Sequence, residues 1–240
     1  MFFNKVHISK IILLLGFLFL TACANKQAIV ESDTSTLQAQ KEQEQQEQFN
    51  YALGLIQTEN TQEKNLLEAK DILDALYKSN SAYLGALINS ADISLKLKRL
   101  DEAKSLYLLA IEKIEQQKAE ASDETLKGEQ ASSVISEHVI MFTIHTYNQL
   151  GLIERQQGQF GQAETYYRQA LALDSDNSVS IKNLAILLDL YRGKLAEALA
   201  LYEQYQKIAD GSDSQITDPK IKDWIYDLKN RLPAEDVGNE

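Results

Sequence analysis

The sequence predicts an all-α fold, an α-solenoid of about four helix pairs closed by a C-terminal capping helix. Two observations predict it. The stretches LEAKDILDALY, LDEAKSLYLLAIE, FGQAETYYRQALAL and LAEALALYEQYQ resemble one another, with aligned alanines at Ala69, Ala103, Ala163 and Ala198. Ala69 to Ala103 spans 34 residues, Ala163 to Ala198 spans 35, and Ala103 to Ala163 spans 60, one period plus an insertion of 26. A fixed period of this length marks units that bury their apolar faces only by stacking on neighbours. The second observation is an atypical end. Asp218 offers an N-cap and Pro219 suits a first helical position. Ile221, Trp224, Ile225, Leu228 and Leu232 then share one helical face, which can cover the last unit.

The third unit reads TYNQLGLIERQQGQFGQAETYYRQALALDSDN, with Tyr147, Leu150-Gly151, Gly158, Ala163, Tyr167 and Ala170 in order. This resembles the tetratricopeptide repeat, and the resemblance phases repeats near 47–83, 84–117, 144–177 and 178–212. It implies that a small residue at position eight faces the alanine of the second helix, so that the two backbones can approach. The pairs are Gly54/Ala69, Ala91/Ala103, Gly151/Ala163 and Ala185/Ala198. The bulkier Leu73, Tyr107, Tyr167 and Tyr202, four residues past each alanine, fill the next gap. No repeat has a proline ending its second helix; Ser81, Glu115, Ser175 and Asp210 stand there. The first repeat needs about three extra residues in its turn (TENTQEKNLLE) and the fourth needs one (LYRGK).

The solenoid is expected over 49–232, with the insertion at 118–143 and the cap at 217–232. The insertion reads as helical extension: the second helix of repeat two runs on, a polar break falls near Ser122 to Gly128, and the next helix starts early, around Ala131. Val134, Ile135, Val139, Ile140 and Phe142 suggest packing on the solenoid. Residues 23–48 form a tether, flexible at first and Gln-rich from 38, where a frayed helix leads into Phe49. Residues 233–240 are an acidic tail.

The chain opens with Lys5 and Lys10 around a short polar start, then ten apolar residues from Ile11 to Leu20. That run is too short to span a bilayer, which takes about 20 apolar residues, and it has the form of a secretory leader, residues 1–22. Leu20-Thr21-Ala22-Cys23 resembles the lipobox of bacterial lipoproteins. The resemblance implies a signal peptide cleaved before Cys23, a diacylglycerol on its thiol and an acylated amine, commonly palmitate. Two or more acyl chains anchor stably where one does not. Cys23 is the sole cysteine, so no disulfide or cysteine-based metal site is available. Ala24 rather than Asp follows it, which resembles an outer-membrane address facing the periplasm of a Gram-negative-type bacterium.

The chain has 24 basic and 35 acidic residues, net −11; cleavage before Cys23 removes Lys5 and Lys10 and leaves 22 against 35, net −13. Such a charge disfavours nucleic acid as a partner. His138 and His145 lie seven apart on one helical face, without the further ligands that a metal site needs. No Gly-rich phosphate loop, nucleophile elbow or other catalytic constellation is present. The expectation is a non-enzymatic protein without metal, cofactor or small-molecule substrate.

By the family resemblance, ligand contacts fall at positions two, five, nine and twelve of each first helix, on the concave face. Carried onto this chain they are Tyr51 and Leu55 in repeat one, and Ile88, Asp92 and Leu95 in repeat two. Repeat three supplies His145, Asn148, Leu152 and Arg155; repeat four supplies Lys182, Ile186 and Asp189. This mixed lining fits a peptide or helix of another envelope protein. The chain resembles tetratricopeptide lipoproteins that serve as pilotins for type IV pilus secretins. NLAILLDLYRGKLAEALALYEQYQ and WIYDLKNRL also look like small repeat lipoproteins of TolQ/ExbB-type proton-channel modules. The implied role is a scaffold for an envelope complex; the alternative is an adaptor for peptidoglycan synthases or hydrolases. If Cys23 carries the anchor, Cys23→Ser moves the protein out of the membrane fraction or leaves its precursor uncleaved. Palmitate labelling that persists in this variant contradicts the assignment.

Overall fold

The computed structural model describes residues 36–57, 62–80, 83–122, 129–211 and 218–232. The expected leader, Cys23 and the acidic tail lie outside the described residues, as does 123–128 of the expected polar break. All regular structure among the described residues is helical. After α1 (36–56) come α2 (Glu63–Ser79), α3 (Leu84–Lys96), α4 (Leu100–Ser122) and α5 (Glu129–Gln156). Then follow α6 (Phe160–Leu173), α7 (Ser178–Leu187) running into a π-helical turn (Leu188–Arg192), α8 (Leu195–Gly211) and α9 (Ile221–Arg231). Sequence neighbours pack on each other, as in a helical solenoid.

The Gln-rich lead-in is helical. Its exposed side chains pair one turn apart, Gln38 with Glu42 at 2.8 Å and Gln43 with Glu47 at 2.9 Å. Its buried face is Gln45, Phe49, Ala52 and Ile56, at helical spacing. Gln45 donates to Ser79 Oγ (3.4 Å), so packing starts ahead of the expected boundary at residue 49. This face corrects the small-residue pair of repeat one. Gly54 is exposed, and a Cβ there would meet nothing within 4 Å. Ala52 is the fully buried residue; two residues further, at about 100° each, Gly54 points the opposite way.

The other small residues of the pairs are buried, Ala69 of repeat one included. Ala69, Ala91, Ala103, Ala163, Ala185 and Ala198 are all fully enclosed, as are Leu73, Tyr107 and Tyr167, with Tyr202 nearly so. The contact at Gly151 is the tightest: a Cβ there would lie 2.5 Å from a ring carbon of Tyr167. The glycine therefore makes room for the tyrosine ring rather than for Ala163.

The hairpins of repeats two and three close alike. Lys98 (φ 59°) and Gly158 (φ 76°) adopt the left-handed conformation. The next amide reaches back to the last turn, Arg99 N to Ser94 O at 2.9 Å and Gln159 N to Glu154 O at 2.8 Å, a Schellman closure. In repeat four Gly193 (φ 63°) takes the left-handed place, and Leu188 O accepts from both Gly193 and Lys194. The extra residue of LYRGK is thus absorbed by the π-turn. From the left-handed residue to the buried alanine the spacing is five in all three repeats.

Charged residues beside the alanines tie one repeat to the next. Lys70 pairs with Asp74 (2.9 Å) and Glu102 (2.8 Å), and Lys104 with the buried Glu154 (2.7 Å). Glu164 accepts from Arg168 (2.8 Å), Arg192 (3.1 Å) and Lys194 (2.7 Å). Burial would raise the Glu164 carboxyl, but hydrogen bonds and charge from Lys194 and Arg168 win and hold it down at about 2.

The insertion lengthens α4 and α5. Val139 and Phe142 pack against the central core, whereas Ile140 and Met141 face solvent; nothing is described for the side chains of Val134 and Ile135. At the end, Asp218 Oδ1 accepts from Lys220 N (3.2 Å), and the α-helix starts at Ile221, later than Pro219. Ile221, Ile225 and Leu228 are buried, and Trp224 packs on Tyr202, ring centres 5.4 Å apart.

Two of the helical glycines, Gly151 and Gly54, give opposite expectations. Gly151→Ala forces the buried Tyr167 ring to move and lowers stability by about 1–3 kcal/mol. Gly54→Ala raises it by about 0.5–1 kcal/mol through helix propensity alone. Urea midpoints of the two variants check both signs.

Candidate functional site

The first helices of successive pairs, α3, α5 and α7, touch along one face. His145 of α5 lies 2.8 Å from Asp92 of α3 and donates its Nε2–H to the carboxylate. Asn148 of α5 donates to Ser180 Oγ of α7 (2.7 Å) and accepts from Asn183 (3.4 Å). These bonds set the spacing of the helices that form the face.

Several expected lining residues sit elsewhere. Ile88 is a core residue, 2% exposed, and Asn148 is buried in the α5–α7 seam. Ile88 is drawn into the core beneath the face, and Asn148 is used up by its bond to α7. Tyr51 is exposed but turned to α2, where its hydroxyl donates to Glu68 (2.9 Å) beside an open depression shared with Ile72 and Ala75. It leaves the face because α1 buries the Gln45–Phe49–Ala52 side instead. Leu55 and Leu95 pack against the core clusters, as does one side of the half-buried Ile186. Asp189 is buried and paired with Arg231 of α9 at 3.1 Å.

What remains accessible is compact. Asp92, His145, Leu152, Arg155, Lys182 and Ile186 are each partly exposed. Val179, at position two of repeat four, is exposed and joins them; the same phase pointed to it, but it was not singled out. Lys182 is held at one edge, 3.6 Å from Asp218 and over the Tyr205 ring. Arg155 has no carboxylate partner among the described residues. In the same region no three His, Cys, Asp or Glu side chains converge on a metal position, again among the described residues.

Models of the tetratricopeptide repeat match residues 84–112 and 145–177. These segments are tetratricopeptide repeats. The fold is similar to that of the MamA protein (15% identity, 80% of this chain and 87% of that one, TM-score 0.52). It is also similar to the MamA RS-1 ArsTM double mutant (14%, 71% and 78%, TM-score 0.50). A weaker likeness is to YrrB, a TPR protein with an unusual peptide-binding site (14%, 70% and 79%, TM-score 0.45). At these identities the likeness shows the fold alone. No curated protein sequence matches the chain.

The repeat phase exposes a difference that composition hid. Tyr107, Tyr167 and Tyr202 occupy one position in three repeats. The Tyr107 hydroxyl donates to Asp92, at position nine of its own repeat. Burial, with the Asp92 charge and hydrogen bond, pushes that phenol far up, so it remains a donor. Position nine of repeat three is Leu152 and of repeat four Ile186, neither an acceptor. The Tyr167 hydroxyl is accordingly buried with no hydrogen-bond partner. Burial pushes its pKa up to about 12, against a smaller downward pull from the Arg155 charge. The signal available in the sequence was tyrosine, rather than an apolar residue, at this position in three repeats.

Tyr107→Phe breaks a bond to a carboxylate and costs about 1.5–3 kcal/mol. Tyr167→Phe breaks none and removes a desolvated hydroxyl, so stability holds or rises by about 1 kcal/mol. Chemical denaturation of both variants checks the contrast; equal losses contradict it.

Proposed function

We propose that this chain is a non-catalytic, membrane-anchored scaffold of the bacterial envelope. Its α3–α5–α7 face captures a peptide or helix of another envelope protein and supports assembly of an envelope complex, pilus–secretin or proton-channel-linked. The observation that carries the reading is the accessible strip itself. Half-exposed Leu152 and Ile186 and exposed Val179 lie among polar Asp92, His145, Arg155 and Lys182. Apolar anchors rimmed by polar groups are what a bound segment requires. The tetratricopeptide repeats fit a protein–protein role. The anchor is the lipid on Cys23 implied by the Leu20–Cys23 lipobox, and the outer-membrane address follows from Ala24.

Binding energy at such a surface concentrates in few residues. Leu152→Glu with Ile186→Glu should lower partner capture, read by crosslinking in cells and identification of the captured protein, about tenfold or more. Helical content and membrane attachment should stay near wild type. Normal capture by the double variant contradicts the reading.

A further inference from the structure

We infer that Arg155 and the Tyr167 hydroxyl form a subsite for one acidic side chain, Asp or Glu, of the segment bound on the α3–α5–α7 face. The inference rests on the proposed binding role of that face and adds its chemistry. Both groups are donors left without acceptors. Arg155 has no ion-pair partner among the described residues, and the Tyr167 hydroxyl has no hydrogen bond. Buried polar groups are almost always satisfied, so an orphan hydroxyl asks for a reason. Here the same tyrosine is satisfied one repeat earlier by Asp92. Leu152 withholds that internal carboxylate in repeat three. Arg155 follows Leu152 by three residues on α5, and a carboxylate from outside would satisfy both donors at once.

The arrangement is built. The Tyr167 ring lies flat against Gly151, which leaves no room for a side chain, and Arg155 follows one helical turn later on the same side of α5. The Arg155 charge acts on Tyr167 and also on Tyr202 of the next repeat. The hydroxyl is buried in the free chain, so a bound carboxylate reaches it only once the side chains over it move.

The surroundings choose among carboxylates. Asp92, on the neighbouring first helix, stands against a run of negative charge, and Asp189 and Asp218 already occupy Arg231 and Lys182. Leu152 and Ile186 flank the subsite with apolar surface. Arg155 stands in the last turn of α5, and from there the strip runs back along the helix to His145, with Lys182 of α7 beside its N-terminal half. The occupant is a single acidic side chain between apolar neighbours.

The test uses the full chain in detergent and a displayed library of random twelve-residue peptides joined through their C termini. Selected peptides are resynthesised with amidated ends. The inference expects them to carry one Asp or Glu between apolar residues. Arg155→Ala should weaken binding tenfold or more, and Glu→Gln in the peptide should do the same on wild type but little on Arg155→Ala. Tyr167→Phe should weaken binding severalfold while its melting temperature holds or rises, which a structural role would not give. Peptides that lose binding with Leu152→Glu but not with Arg155→Ala overturn the subsite and leave the face standing. Peptides indifferent to both changes, or no selected peptide at all, overturn the face as well. The same peptides resynthesised with a free C terminus are the control, and binding that requires this terminal carboxylate overturns the assignment to a side chain.

Discussion

A tyrosine ring resting on a bare backbone sets the geometry of the third repeat, and its relatives set that of the others. Tyr167 presses on Gly151 so closely that even a methyl group would collide with it. That contact draws α6 against α5, and the pair can then offer a flat side to the next. In repeat one α1 buries its Gln45–Phe49–Ala52 side, and Tyr51 turns to α2 and away from the shared surface. Packing of the pairs therefore decides which side chains stand on the face and at what depth.

Polar groups do two separate tasks. At the seams, Lys70, Lys104 and Glu164 sit next to the buried alanines and reach into the following repeat. Lys70, Glu164 and Glu154, the partner of Lys104, are largely desolvated, so they hold only because each has counter-charges at bonding distance. On the face, Asp92 takes up Tyr107 and His145 together, and Asn148 is shared between Ser180 and Asn183. Those bonds fix the helix spacing, and the side chains left over, Arg155 foremost, are the ones available to a partner.

The architecture was legible because period is a property of the chain alone. The 34-residue spacing survived a long insertion, and the amphipathic end announced its cap. Depth was not legible. Ile88 and Asn148 share a phase with accessible residues, but how far a helix sinks against its neighbour depends on side chains from elsewhere in the chain. Gly54 was misread because a lone glycine carries no direction, whereas the apolar spacing of Phe49, Ala52 and Ile56 does. The seam ion pairs escaped notice because the sign is not constant, lysine in two repeats and glutamate in the third. In an acidic protein such residues read as solvated surface.

The π-turn at 188–192 shows how a repeat array absorbs a change in its own length. One added residue widens a single turn, and by Gly193 the chain is back in step with the other repeats. Upstream and downstream packing are left alone. What changes is local aim: Asp189 is delivered to Arg231 of the closing helix, while Leu190 and Tyr191 are rolled out to solvent. A lineage can thus gain one codon near the end of a first helix and acquire new surface there. The stack itself need not be rebuilt.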